Sequence, residues 1–185
     1  MHSRIAAFLA GCWVLGSLFM LFVATENFKA VDRVLASSPQ RAAAMLETLG
    51  PDDSRSLLRY LASEENRFYF QTWEIAQLVL GVALTGFLLF GMNSRLLAGL
   101  AGAMVILAAF QHFTLTPEMI SWGRLIDFQR PAVPTHARDM FWRLHGLYGG
   151  IEVVKLLMAL VIAGLLLAGS RRSNALEAAD YVHHQ

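Results

Sequence analysis

Four stretches of this chain are apolar for long enough to cross a lipid bilayer: Ile5–Ala24, Ile75–Met92, Leu96–Thr116 and Gly146–Gly169. A hydrocarbon core about 30 Å thick needs about 20 residues of helix at a rise of about 1.5 Å each. The first stretch carries no charge, the second is almost entirely apolar beyond Gln77, and the third stays apolar until Gln111 and His112. The fourth departs from the pattern, because Glu152 and Lys155 lie inside it. A helix of a soluble bundle shows one apolar stripe, whereas these stretches are apolar nearly all round. The pattern predicts an all-α, four-span transmembrane helix bundle, a single integral membrane domain over residues 1–185.

The connections differ in length. Spans 2 and 3 are joined by the tight polar turn Asn93-Ser94-Arg95, while residues 28–70 and 117–144 form two long connections. Four spans put both long connections on one side of the membrane. In the first, Ser38-Pro39 reads as a cap followed by proline at the first helical position. Ala42–Leu49 follows and stops at Gly50-Pro51. Asp52, Asp53 and Ser54 open a second helix, with Leu57, Leu58 and Leu61 on one side, that runs into span 2. It passes Phe68, Tyr69, Phe70 and Trp73, an aromatic group suited to the membrane–water boundary. In the second connection, Thr116-Pro117-Glu118 reads as another cap, proline and acid start, and Pro131 and Pro134 as a break.

Composition agrees with the pattern. Of 185 residues, 56% are hydrophobic and 16% charged, and mean hydropathy is +0.47; a soluble domain carries about 25% charged residues. A net charge of +1 gives no basis for a nucleic-acid partner. The single cysteine, Cys12, supports neither a disulfide nor a cysteine metal site within one chain. Leu9-Ala10-Gly11-Cys12 matches a lipoprotein cleavage box, but more apolar sequence follows it, and Ala7, Gly11 and Gly16 are expected to form a close-packing helix surface instead. Ten Lys and Arg residues lie in the long connections and four (Arg4, Arg95, Arg171, Arg172) on the other side. That count favours cytoplasmic long connections, while Arg4 before the first span favours the reverse, so orientation stays open.

The candidate chemistry is polar and sits at one depth. Glu26 and Asn27 end span 1, Gln71, Glu74 and Gln77 open span 2, Gln111, His112 and Glu118 end span 3, and His145, Glu152 and Lys155 open span 4. His145 and Glu152 are seven apart and share a helix face, with Lys155 one turn beyond Glu152. Ionisable groups inside a membrane are site candidates by default. Glu26, Glu74, Gln77, His112, His145, Glu152 and Lys155 are therefore the candidates for a polar pocket near one membrane face. The plainer alternative is structural glue, in which Glu152 and Lys155 neutralise each other and Lys155 snorkels to the interface. Further alternatives are haem held between His112 and His145, or a carboxylate and histidine metal site from Glu26, Glu74, Glu118 and Glu152 with the two histidines. The Glu-x-x-His spacing of di-metal bundles does not occur. With no nucleophile turn and no glycine-rich phosphate loop, no catalytic residue, cofactor or enzyme activity is expected.

Several of these residues sit in segments that read as a set: "YFQTWEIAQLVLG" (Tyr69–Gly81), "MNSRLLAG", "TPEMISWGRL" and "MFWRLHGLYGGIEVVKLL". Together they resemble the membrane family named after transmembrane protein 205, a domain of unknown function. Trp73-Glu74 with Gln77, and Arg143-x-His145-Gly146, are the more specific matches. The resemblance implies a small four-span bundle and supplies no catalytic residue, cofactor or substrate. The expected function is non-enzymatic: small-molecule or ion handling, or an accessory role in a membrane complex. The expected partners are the lipid bilayer and a membrane protein or second copy, in a bacterial inner (plasma) membrane.

Overall fold

A computed structural model describes residues 2–129 and 135–183, with 170–183 described by their helical backbone alone. The proline break at Pro131 and Pro134, Arg130, and the side chains of Arg171 and Arg172 lie outside the described residues. The described chain is all-α: α1 (His2–Ala36), α2 (Gln40–Leu49), α3 (Pro51–Gly86), α4 (Arg95–Phe110), α5 (Thr116–Ile126) and α6 (His136–His183). Two wider π turns, Phe87–Gly91 and Gln111–Leu115, follow α3 and α4.

Four of these helical runs have membrane length and composition: His2–Ala36, Pro51–Gly91, Arg95–Ile126 and His136–Gly169. Only 22–33% of each apolar window is buried inside the protein. Phe8, Leu15, Phe19, Phe22, Val79, Ile106 and Leu157 are among the large apolar side chains that face outward. A water-soluble fold does not present so much contiguous apolar surface. The chain is an integral membrane protein.

Several boundaries differ from the sequence reading, for local reasons. α1 continues past span 1 to Ala36. No glycine or proline interrupts residues 24–36, and Lys29 and Arg33 pair with Glu26 along the helix. Ser38 does not cap α2; its hydroxyl donates back to the carbonyl of Val34, and Pro39 stands at the cap position. Gly50 closes α2 with φ +84°, a left-handed value that glycine adopts without penalty. Asn93 takes φ +50° in the tight turn, which asparagine tolerates better than most side chains. Thr116 was expected to cap a new helix, but the π turn carries the chain directly from α4 into α5, and the Thr116 N–H donates to the Gln111 carbonyl five residues back. Pro117 gives the physical reason. Its ring clashes with the carbonyl four residues earlier in an ordinary α-helix and it has no N–H to donate. A widened turn relieves the clash.

The chain divides into two compact units: Met1–Ser17, Ala76–Ala109 and Ile151–Gln185 form the first, and Leu18–Ile75 with Phe110–Gly150 the second. The first unit has the apolar core. Trp13, Leu84, Leu88, Met104 and Ile162 fill it, with Ala6, Ala10, Ala101, Ala108 and Ala159 between them. Small residues allow close helix approach in lipid, where burial of apolar area drives little association. Gly11, expected to help form such a surface, faces open space. Gly81 makes the close approach instead: a Cβ there would lie 2.6 Å from Val105 Cγ2 and 3.1 Å from Trp13 Cζ3.

The second unit is held by polar ties between its helices. Asn27 Nδ2 donates to Asn66 Oδ1 at 2.7 Å, and Asn66 Nδ2 donates to the Ala24 carbonyl at 3.2 Å, joining α1 to α3. Ser54 Oγ donates to the Leu46 carbonyl at 2.8 Å, joining α3 to α2. Arg55 reaches Asp32 at 2.8 Å, and the Arg59 guanidinium lies 5.5 Å from the Phe28 ring centre.

Gly81→Ala is expected to lower stability by about 1–3 kcal/mol, because neither the Val105 methyl nor the Trp13 ring can yield freely. Gly102→Ala, where a Cβ meets open space, is the matched control. Thermal unfolding in detergent compares them, and equal melting temperatures would count against the close approach.

Candidate functional site

The seven candidate residues divide between the two units. Glu26, Glu74, His112 and His145 belong to the second, and Gln77, Glu152 and Lys155 to the first. Among the candidates, one hydrogen-bonded cluster forms around Glu74 in the second unit and another around Lys155 in the first.

In the second unit Glu74 is 0% exposed on α3. A carboxylate away from water must find donors within the protein or hold a proton. It finds them on the continuation of α4. Thr116 Oγ1 donates to Glu74 Oε1 at 2.5 Å, and His112 Nδ1 shares a hydrogen bond with Glu74 Oε2 at 3.0 Å. His112 and Thr116 are four residues apart, at the start and just beyond the end of the π turn, so they meet the same carboxylate. The His112 side chain is 23% exposed. Its ring is thus the accessible member of the cluster, and Phe113 lies edge-on to it at 4.8 Å. Gln111, also 0% exposed, donates through Nε2 to the Tyr148 carbonyl at 3.3 Å. Its Oε1 accepts no hydrogen bond, and the buried Nε1 of Trp73 donates none. Wide turns of this kind inside helices recur at functional sites.

The first unit holds a closed ring. Lys155, 0% exposed on α6, donates from Nζ to Gln77 Oε1 at 2.5 Å and to Glu152 Oε1 at 2.7 Å. Gln77 Nε2 donates to Glu152 Oε2 at 3.1 Å. The Lys155 Nζ lies 5.9 Å from the Trp13 ring centre, within cation–π range. The expected snorkelling does not occur: the ammonium stays inside, where a carboxylate, an amide and an aromatic face receive it. Charge cancels within the ring.

The remaining candidates stand apart. Glu26 pairs with Lys29 at 2.9 Å and Arg33 at 2.8 Å near the surface. His145 is exposed, stacked on Phe141 at 5.7 Å and edge-on to Trp142 at 5.4 Å, and it makes no hydrogen bond to the other candidates. For the haem alternative, Nδ1 of His112 is already bonded to Glu74, which leaves only Nε2 as a ligand. For the metal alternative, no three His, Cys, Asp or Glu side chains converge among the described residues, and Glu118 is exposed.

Three residues escaped the sequence reading. Thr116 was taken as a helix cap, although its place four residues after His112 is a usable signal. Trp13, within the uniformly apolar first span, was not singled out. Arg67, counted only among the basic residues of the long connections, is the centre of a charge network.

Removing one partner from a buried ion pair leaves the other uncompensated, at a cost of about 3–5 kcal/mol. Lys155→Met is expected to lower stability on that scale, and Lys155→Met with Glu152→Gln to recover part of the loss. A double-mutant cycle from thermal unfolding measures the coupling; additive losses would show that the ring does not act as a unit. Comparison with known proteins adds no relative: no family model, curated protein or solved structure matches the chain.

Proposed function

We propose that this protein is a non-enzymatic membrane protein that handles protons through Glu74, His112 and Thr116. The single observation that carries the reading is a carboxylate with no exposure, hydrogen-bonded to an imidazole that has some. The two side chains form a hydrogen-bonded dyad that can hold one proton between them. The dyad is neutral with Glu74 and His112 as acid and base, or as carboxylate and imidazolium. It carries one negative charge when that proton leaves. His112 is the route of exchange, because Nε2 on the far side of the ring is free of Glu74. Thr116 donates to the other carboxylate oxygen and holds Glu74 in place beside His112.

The Lys155 ring serves stability in this reading, because its charges already cancel. The location that suits proton handling is a bacterial inner (plasma) membrane, across which a proton gradient stands. Glu74 and Gln77 both fall within Tyr69–Gly81, the segment that carries the resemblance to the transmembrane protein 205 family, and we propose that kinship on those residues.

Purified protein in liposomes with an entrapped pH dye tests the reading. Wild-type protein is expected to dissipate an imposed pH gradient, Glu74→Gln and His112→Ala to abolish that flux while remaining monodisperse, and Glu118→Gln to leave it unchanged. A wild-type flux no greater than that of empty liposomes, or one that survives in Glu74→Gln, would overturn it.

A further inference from the structure

Arg67 sits on α3 with its side chain only 12% exposed. Its Nη2 donates to both oxygens of Asp127, at 2.8 and 2.9 Å, and its Nη1 to Glu64 Oε1 at 2.5 Å. Asp127, 7% exposed, directly follows α5. Arg124 of α5 approaches the same Glu64 oxygen at 3.7 Å. Two arginines and two carboxylates thus balance in one network that fastens the far end of α5 to α3.

The guanidinium also has a seat. A Cβ at Gly123 would lie 3.1 Å from Arg67 Nη2 and 3.3 Å from Phe141 Cε2. Arg67 therefore lies directly against the α5 backbone at the one position without a side chain. The flanking residues are Trp122 and Arg124, so a shift of one residue would drive a bulky side chain into the seat.

The spacing links this seat to Glu74. On α3, Arg67 and Glu74 are seven residues apart; on α5, Gly123 and Thr116 are also seven apart. Seven residues return a helix to nearly the same face. α5 is therefore fixed to α3 at two points, Thr116 on Glu74 and Gly123 on Arg67, and one register satisfies both. The π turn just before Thr116 sets that register. It holds one more residue than an α turn, and losing that extra residue turns α5 by about 100° about its own axis.

We propose that Arg67 and Asp127 are positioning residues that lock α5 in the register where Thr116 meets Glu74, and that the π turn Gln111–Leu115 is the hinge on which α5 turns when the lock opens. The consequence for proton exchange rests on the function proposed above; the lock itself does not. Opening withdraws the Thr116 hydroxyl from Glu74 and so dismantles the cluster through which protons are proposed to pass.

Leu115, at 3% exposure in the π turn, reports the register. In a Cys12→Ser background, Leu115→Cys is exposed to a membrane-permeant maleimide with the lock intact, with Asp127→Asn, and with Arg67→Asp plus Asp127→Arg. The expected result is alkylation at least about tenfold faster in Asp127→Asn, restored toward the intact rate by the charge exchange. Equal rates in all three overturn the lock. Hydrogen exchange on the unmodified protein keeps the test alive if a variant does not fold: amides of 111–126 are expected to exchange together and faster than those of 95–110. Uniform protection across both segments overturns the hinge. A Glu74-dependent flux with unchanged Leu115 reactivity removes the lock and leaves the proton reading standing, and the converse pair of results does the opposite.

Discussion

A carboxylate with no access to water is the constraint around which the second unit is arranged. Glu74 cannot be left unpaired, because an ionised group buried away from water is costly without donors around it. Both of its oxygens are answered from the other side of one helical bend, by His112 and Thr116. For that to happen the chain must pass Pro117 without ending the helix, and the π turn is how it does so. The tethers at Asn66 and Arg67 then hold α3 in place against α1 and α5. A change of α5 register therefore acts on Glu74 first.

The ring around Lys155 answers the same constraint in another way. There both charges are present and cancel locally, and each polar atom of Gln77 is used. A closed ring holds helices together and has no reason to exchange a proton. The Glu74 cluster differs because one of its members, His112, is partly open to the surroundings. On this contrast rests our proposal that proton handling belongs to one cluster and anchoring to the other.

The spans, the tight turn and the Gly50-Pro51 stop were legible in the sequence because length, composition and backbone-special residues are local signals. The extension of α1 to Ala36 was not, since Glu26, Lys29 and Arg33 look like a polar connection although they pair along one helix. Thr116 was misread because a threonine before a proline has the same pattern whether it caps a helix or continues one through a wide turn. The grouping of the polar residues was only half legible. Sequence gives depth along a helix, but not which neighbour stands opposite. His145 shows this: its spacing from Glu152 places both on one face, yet Phe141 and Trp142 take its ring. Lys155 shows it too, since no periodicity announces that an amide, a carboxylate and an indole converge on it.

Proton handling as proposed requires Glu74 and His112 to exchange one proton between them. Infrared difference spectroscopy of membrane-reconstituted protein, recorded across a pH titration, observes that proton directly. A carboxylic C=O band is expected that appears and disappears with pH, is missing in Glu74→Gln, and responds differently to pH in His112→Ala. A titration without any band that depends on Glu74 would contradict the proposal.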